Sequence, residues 1–143
     1  MEIAKALGRS IPFATHLGVE LVDHGNGRTV VMLEIRPELM NRFEVAHGGV
    51  VMTLLDLAMA LATHSLDPQA EGVITVEMKT SFIGAATGTV TVEGQCLHLG
   101  KSVAFCEGRA LGADGRLCAT ASGTFMVRHK GGRRPPGETR ADE

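Results

Sequence analysis

The chain has 143 residues, 44% of them hydrophobic and 21% charged, which is the length and apolar content of one domain with a real core. Fourteen Lys and Arg against sixteen Asp and Glu leave a net charge of -2, and there is no Trp or Tyr, so neither a polyanion-binding surface nor a base-stacking platform for nucleic acid is expected. Cys96, Cys106 and Cys118 are odd in number and lack CxxC spacing, which speaks against a disulfide framework or a thiolate metal site.

Residues 1–16 read as a lead-in without a basic region, a long apolar stretch and a small-residue cleavage site, so a cytoplasmic location is expected. A short helix is expected over Glu2–Leu7 and a further turn at Pro12–His16, where proline suits a first-turn position. From Gly18, the stretch GVELVDHGNGRTVVMLEI forms two β-rich runs joined by His24-Gly25-Asn26-Gly27, and the Asn-Gly pair predicts a hairpin. Arg36-Pro37 ends the second run. The segment through Ala46 carries no clear period and predicts a loop leading into His47-Gly48-Gly49.

From Gly49 to about Ser65, Leu, Ala and Met occupy nearly every position, which predicts a helix covered on most sides. Its most apolar part, Val50 to Ala62, is interrupted by Thr53 and Asp56 and falls short of the roughly 20 residues that cross a bilayer, so no membrane association is expected. Asp67-Pro68 ends the helix. Four β-favouring runs follow, Gly72–Ile83, Thr87–Leu99, Ser102–Leu111 and Arg116–Arg128, with short breaks that predict an antiparallel meander for the last three. Residues 130–143 have no apolar side chain larger than proline and are expected to be disordered. The order predicts an α+β fold, one antiparallel sheet wrapped around one long central helix, with the domain proper at 17–129.

Asp56 sits among Leu54, Leu55, Leu57 and Ala58, where an ionised carboxylate is costly unless partnered. It either fixes register against an interface or a sheet hydroxyl, or serves as a general base or nucleophile. His47-Gly48-Gly49 opens the helix. The glycines either make a tight junction or let a ligand approach N–H groups at the positive end of the helix dipole, where an oxygen gaining charge is stabilised. His47 taken alone reads as a capping or core histidine more readily than as a catalyst. Gly48 and Asp56 are eight residues apart, about 12 Å along one helix, and cannot serve one atom. If both act on it, Asp56 comes from a second, antiparallel copy of the helix in a two-fold dimer with two interface sites.

Asn41, then His47-Gly48-Gly49, then Asp56 nine residues after His47, then Gly72-Val73-Ile74-Thr75-Val76-Glu77-Met78, together resemble the hotdog-fold acyl-CoA thioesterases of the phenylacetate-pathway (PaaI-like) type over roughly residues 15–128. The resemblance implies hydrolysis of an acyl-CoA. In that reading the Gly48 N–H is the oxyanion donor, and Asp56 of the other subunit attacks the carbonyl or activates water. Asn41 and His47 position the water or thioester, and Thr75 assists the carboxylate. Gly49 and the turn Gly100-Lys101-Ser102 contact substrate, with Lys101 pairing with coenzyme A phosphates. It implies a homodimer that pairs again into a homotetramer, and no cofactor, coenzyme A being part of the substrate. The six histidines show no paired ligand spacing for a metal, and no GxSxG serine elbow is present. A hotdog module that binds acyl-CoA as a sensor without turnover is the alternative, and a hotdog hydratase a third. The sequence departs from the family in having Arg42-Phe43-Glu44-Val45-Ala46 where a glycine is common. Phe43, Met52, Met59 and Phe82 are candidates to line the acyl pocket.

Overall fold

Asn26 and Gly27 both adopt left-handed backbone angles, φ 54° and 78°, and make the two-residue turn joining β1 (Glu20–Gly25) to β2 (Arg28–Glu34) in the computed structural model, which describes residues 1–131. The tail expected to be disordered thus lies almost entirely outside the described residues. Two short helices, α1 (Ile3–Leu7) and α2 (Pro12–Leu17), precede the hairpin, and Ile3, Ala14 and Leu17 bury their side chains in the common core. After β2, a single 3-10 turn at Pro37–Leu39 and a bridge between Met40 and Ala46 shape the loop that delivers the chain to α3 (Gly48–Leu66).

Then come β3 (Gly72–Phe82), β4 (Thr89–Leu99), β5 (Val103–Leu111) and β6 (Leu117–Arg128). The six strands form one antiparallel sheet in the order β1-β2-β4-β5-β6-β3, with β4, β5 and β6 as the expected meander. The sheet curves around α3, which touches all six strands, and this is the hotdog architecture. At 19 residues α3 is longer than its apolar stretch suggested and is long and apolar enough to cross a membrane by length alone. Here its apolar side is spent on the sheet: Leu54, Leu55, Ala58, Met59 and Ala62 are fully enclosed. Met59, a candidate to line an acyl pocket, is therefore a core residue.

The helix rests on the sheet where side chains are missing. Gly94 on β4 is paired in register with Gly108 on β5, and a Cβ at Gly94 would lie 2.3 Å from the Ala58 carbonyl carbon. Helix and strand backbones are thus in direct contact at a point two residues past Asp56.

β3 is an edge strand, and its pairing with β6 is interrupted between Thr75 and Glu77, where Val76 is an extra, exposed residue. The bulge changes the phase of the strand. Val73 and Thr75 face α3 before it, and Met78 and Phe82 face α3 after it, while Glu77 turns to the outer side and accepts a hydrogen bond from the Thr124 hydroxyl at 2.7 Å.

Candidate active site

The start of α3 is capped by its own histidine. His47 has φ -60° and ψ 137°, and its Nδ1 accepts the Gly49 N–H at 2.9 Å, which places the ring proton on Nε2. The Val50 and Val51 N–H groups donate to the His47 carbonyl at 2.9 and 3.3 Å. Of the first-turn donors, only the Gly48 N–H has no partner among the described residues. A Cβ on Gly48 would stand 3.3 Å from the Phe82 ring, so the end of β3 forms a wall beside this N–H.

The loop before the helix is held by Asn41. Its Oδ1 accepts the Phe43 N–H at 2.9 Å, its own N–H donates to the Val45 carbonyl and its carbonyl accepts from the Glu44 N–H. Glu44 sits at φ 61°, a left-handed conformation that favours glycine. The bulk noted in this loop therefore follows a glycine-like backbone path, with the Glu44 side chain in solvent. Phe43 is also exposed and lies against the Arg42 guanidinium, 4.8 Å from the ring centre.

Asp56 is half-buried, because Leu54 and Leu55 are enclosed against the sheet while it points to the open side of α3. The Thr75 hydroxyl donates to Asp56 Oδ1 at 2.5 Å, a short charge-assisted bond that fixes the carboxylate and leaves Oδ2 free for a proton or a carbon centre. The two halves of the site are thus assembled within one chain, Gly48 with Phe82 at one end and Asp56 with Thr75 about 12 Å along the helix. They are not brought together. Gly49 spends its N–H on the cap, which removes it as a donor to a ligand.

The Gly100-Lys101-Ser102 turn is closed by a Gly100 N–H to Val103 carbonyl bond at 2.9 Å and tied to β6 by a Val127 N–H to Ser102 carbonyl bond at 2.7 Å. It is exposed and lies at the sheet end that holds Thr75, whose register partner on β6 is Phe125. The opposite sheet end holds Phe82 and Gly48.

A cavity of about 360 Å³ lies between the lead-in and the C-terminal half of α3, walled by Leu7, Ile11, Leu57, Ala60, His64 and Val73 among others. None of these residues was a candidate site residue in the sequence. The recurrence of Ile3, Leu7 and Ile11 every four residues is the one signal that points to them. A larger depression of about 580 Å³ lies on the outer, polar face of the sheet. There Arg28 bonds Asp23 at 2.7 Å and Glu93 at 3.0 Å, and it holds the Glu93 carboxyl below the usual carboxylate range. Among the described residues no group of three His, Cys, Asp or Glu side chains could hold a metal ion.

Residues 43–119 match the family model described as the thioesterase superfamily. A candidate esterase from Saccharolobus solfataricus is 32% identical over 112 residues, which span 78% of this chain and 79% of that protein. The 1,4-dihydroxy-2-naphthoyl-CoA hydrolase of Listeria monocytogenes is 28% identical over 116 residues, spanning 80% and 94%. The PaaI protein from the phenylacetic acid degradation operon of Escherichia coli superposes with a TM-score of 0.77 at 21% identity, covering 87% of this chain and 89% of that one, a likeness of fold.

Proposed function

The chain belongs to the thioesterase superfamily and is a thioester hydrolase, and on that premise we propose that it cleaves an acyl- or aryl-CoA to the free acid and coenzyme A. The naphthoyl-CoA hydrolase among its relatives supports coenzyme A as the carrier. The Gly48 N–H receives the thioester oxygen as it gains charge, and Asp56 supplies the base or the nucleophile. Acting as base, Asp56 Oδ2 takes a proton from water as the water oxygen bonds to the carbonyl carbon. The C–S bond then breaks and the thiolate leaves, to be protonated as free coenzyme A. Acting as nucleophile, Asp56 bonds to the carbonyl carbon and expels the coenzyme A thiolate, and water then opens the resulting anhydride to the free acid and the restored carboxylate. Thr75 holds the carboxylate in place in either route.

The observation that carries this reading is the Gly48 N–H, the one donor in the first turn of α3 that has no partner among the described residues. Its separation from Asp56 supports a site shared by two copies of the chain, each giving the donor to the other's carboxylate. The unpaired edge of β3, eleven residues long and with Val76 exposed, is the surface on which a second copy would continue the sheet. In that dimer Asn41 and His47 border the thioester, and the Gly100-Lys101-Ser102 turn, with its exposed cation, is placed for the phosphates of coenzyme A.

A thiol-release assay over benzoyl-, phenylacetyl- and straight-chain acyl-CoA esters tests it, with Asp56→Asn in parallel. Release by the native protein that is lost in the variant is expected. Equal rates in the two proteins overturn the role of Asp56.

A further inference from the structure

The 360 Å³ cavity lies further along α3 than Asp56, with Ala60 and Leu57 of the helix in its wall. Asp56 and Ala60 are neighbours at i and i+4 on the helix. Thr75, which bonds Asp56, and Val73 occupy alternate positions on the inner side of β3, about 7 Å apart. The wall formed by Ala60 and Val73 therefore begins one helical turn beyond the carboxylate. Ala60 contributes only a methyl group, which is what leaves room there. Leu57 lies beside it, and Leu7 and Ile11 of the lead-in close the far side.

We infer that this cavity receives the acyl group of the thioester, and that Leu7 and Ile11 set the length it accepts, selecting compact, mainly apolar acyl or aryl groups over long chains. The volume decides the size class. About 360 Å³ is at the lower end of the range of small-ligand sites, which suits an aryl or medium-length acyl group better than a long chain. Arg9, His64 and Glu71 make part of the cavity's lining polar. The His64 Nδ1 is enclosed without a hydrogen-bond partner among the described residues. The inference rests on the reading that Asp56 acts on the thioester, because it is the position of Asp56 that aims the acyl group into this space.

Two variants with opposite effects test it. Ala60→Phe fills the cavity, and the ratio of kcat/KM for octanoyl-CoA to that for butanoyl-CoA is expected to fall about tenfold or more. The pair Leu7→Ala with Ile11→Ala opens the far wall, and the ratio for dodecanoyl-CoA to octanoyl-CoA is expected to rise by about tenfold. Unchanged ratios in both overturn the assignment. Calorimetric binding of octanoyl-CoA and butanoyl-CoA to Asp56→Asn, with and without Ala60→Phe, reads the cavity apart from the chemistry. Loss of octanoyl preference with Ala60→Phe supports the cavity even if the native protein releases no coenzyme A from any ester, a result that would instead remove the catalytic role of Asp56. Equal binding with and without Ala60→Phe overturns the cavity assignment whatever the turnover.

Discussion

Thr75 and Phe82 are seven residues apart on β3, an odd separation that places side chains on opposite faces of a regular strand, yet both face α3. The extra residue at Val76 reverses the phase between them. One strand can therefore brace the carboxylate of Asp56 near its start and flank the Gly48 N–H at its end. A bulge of this kind is invisible to a count of alternating residues, which is why Thr75 was legible as a partner for Asp56 while the seat of Phe82 was not.

Asp56→Asn keeps the shape and the Thr75 contact but removes the base or nucleophile. A fall in kcat of about 10²-fold or more with little change in acyl-CoA binding is expected from steady-state kinetics and calorimetry. Thr75→Val removes one hydrogen bond from the carboxylate and should reduce kcat less, by about tenfold.

The donor at Gly48 can be deleted without breaking the helix. Gly48 is the first helical residue, where proline is well tolerated, and His47 before it already has the extended angles that precede a proline. Gly48→Pro should fold and lose about 10²- to 10³-fold in kcat. Gly48→Ala adds the same Cβ beside Phe82 but retains the N–H, so it should lose much less. Equal losses in the two variants would assign the effect to the displaced ring.

Asp56→Asn and Gly48→Pro damage different halves of a shared site. Refolded together in equal amounts, mixed dimers carry one intact site in two, and about a quarter of native activity should return. No recovery in a sample shown to contain mixed dimers would place both groups in one chain's site.

Gly94 has no room for a side chain, because the Ala58 backbone lies where its Cβ would be. Gly94→Ala should destabilise the fold by about 3 kcal/mol or more, read from urea unfolding, since neither backbone can yield as a flexible side chain would. Activity should suffer as well, the displaced segment being two residues from Asp56.

Burial, with His64 nearby, lowers the pKa of His24, while Asp23 pulls it up and the Thr29 hydroxyl bonds its Nδ1 at 3.0 Å. The folded protein thus binds this proton more weakly than the unfolded chain. The stability it contributes is complete above the ordinary histidine value of 6.5 and is lost as pH falls below it toward the lower folded value. The urea midpoint should drop between about pH 7.5 and 5.5, and His24→Gln should flatten that drop.

Much of the architecture is written in local signals. The Asn26-Gly27 turn, the long apolar run of α3 and the Asp56 that interrupts it all lie where pattern and turn chemistry place them. What escaped depends on contacts between distant segments or on backbone angles. His47 caps its own helix and thereby commits Gly49. Glu44 takes a glycine's conformation while carrying a side chain. Leu7 and Ile11 become a cavity wall only because the lead-in docks at β1 and faces α3 across the cavity. Asp56 read as a costly buried charge because neighbours in sequence were taken for neighbours in space, whereas the helix turns them to opposite sides.

The position of α3 in the chain has a consequence for how the protein comes into being. During synthesis the helix is complete at Leu66, but the strands that cover most of it end only at Arg128. At roughly 5–20 residues per second the ribosome needs about 3 to 12 s to supply those strands. At the start of that interval only the lead-in and the β1–β2 hairpin can shield a helix that is long and apolar enough, by length and composition, to cross a membrane. Nascent chains halted after Leu66 should therefore be captured by chaperones or adhere to membranes, and chains halted after β6 should not.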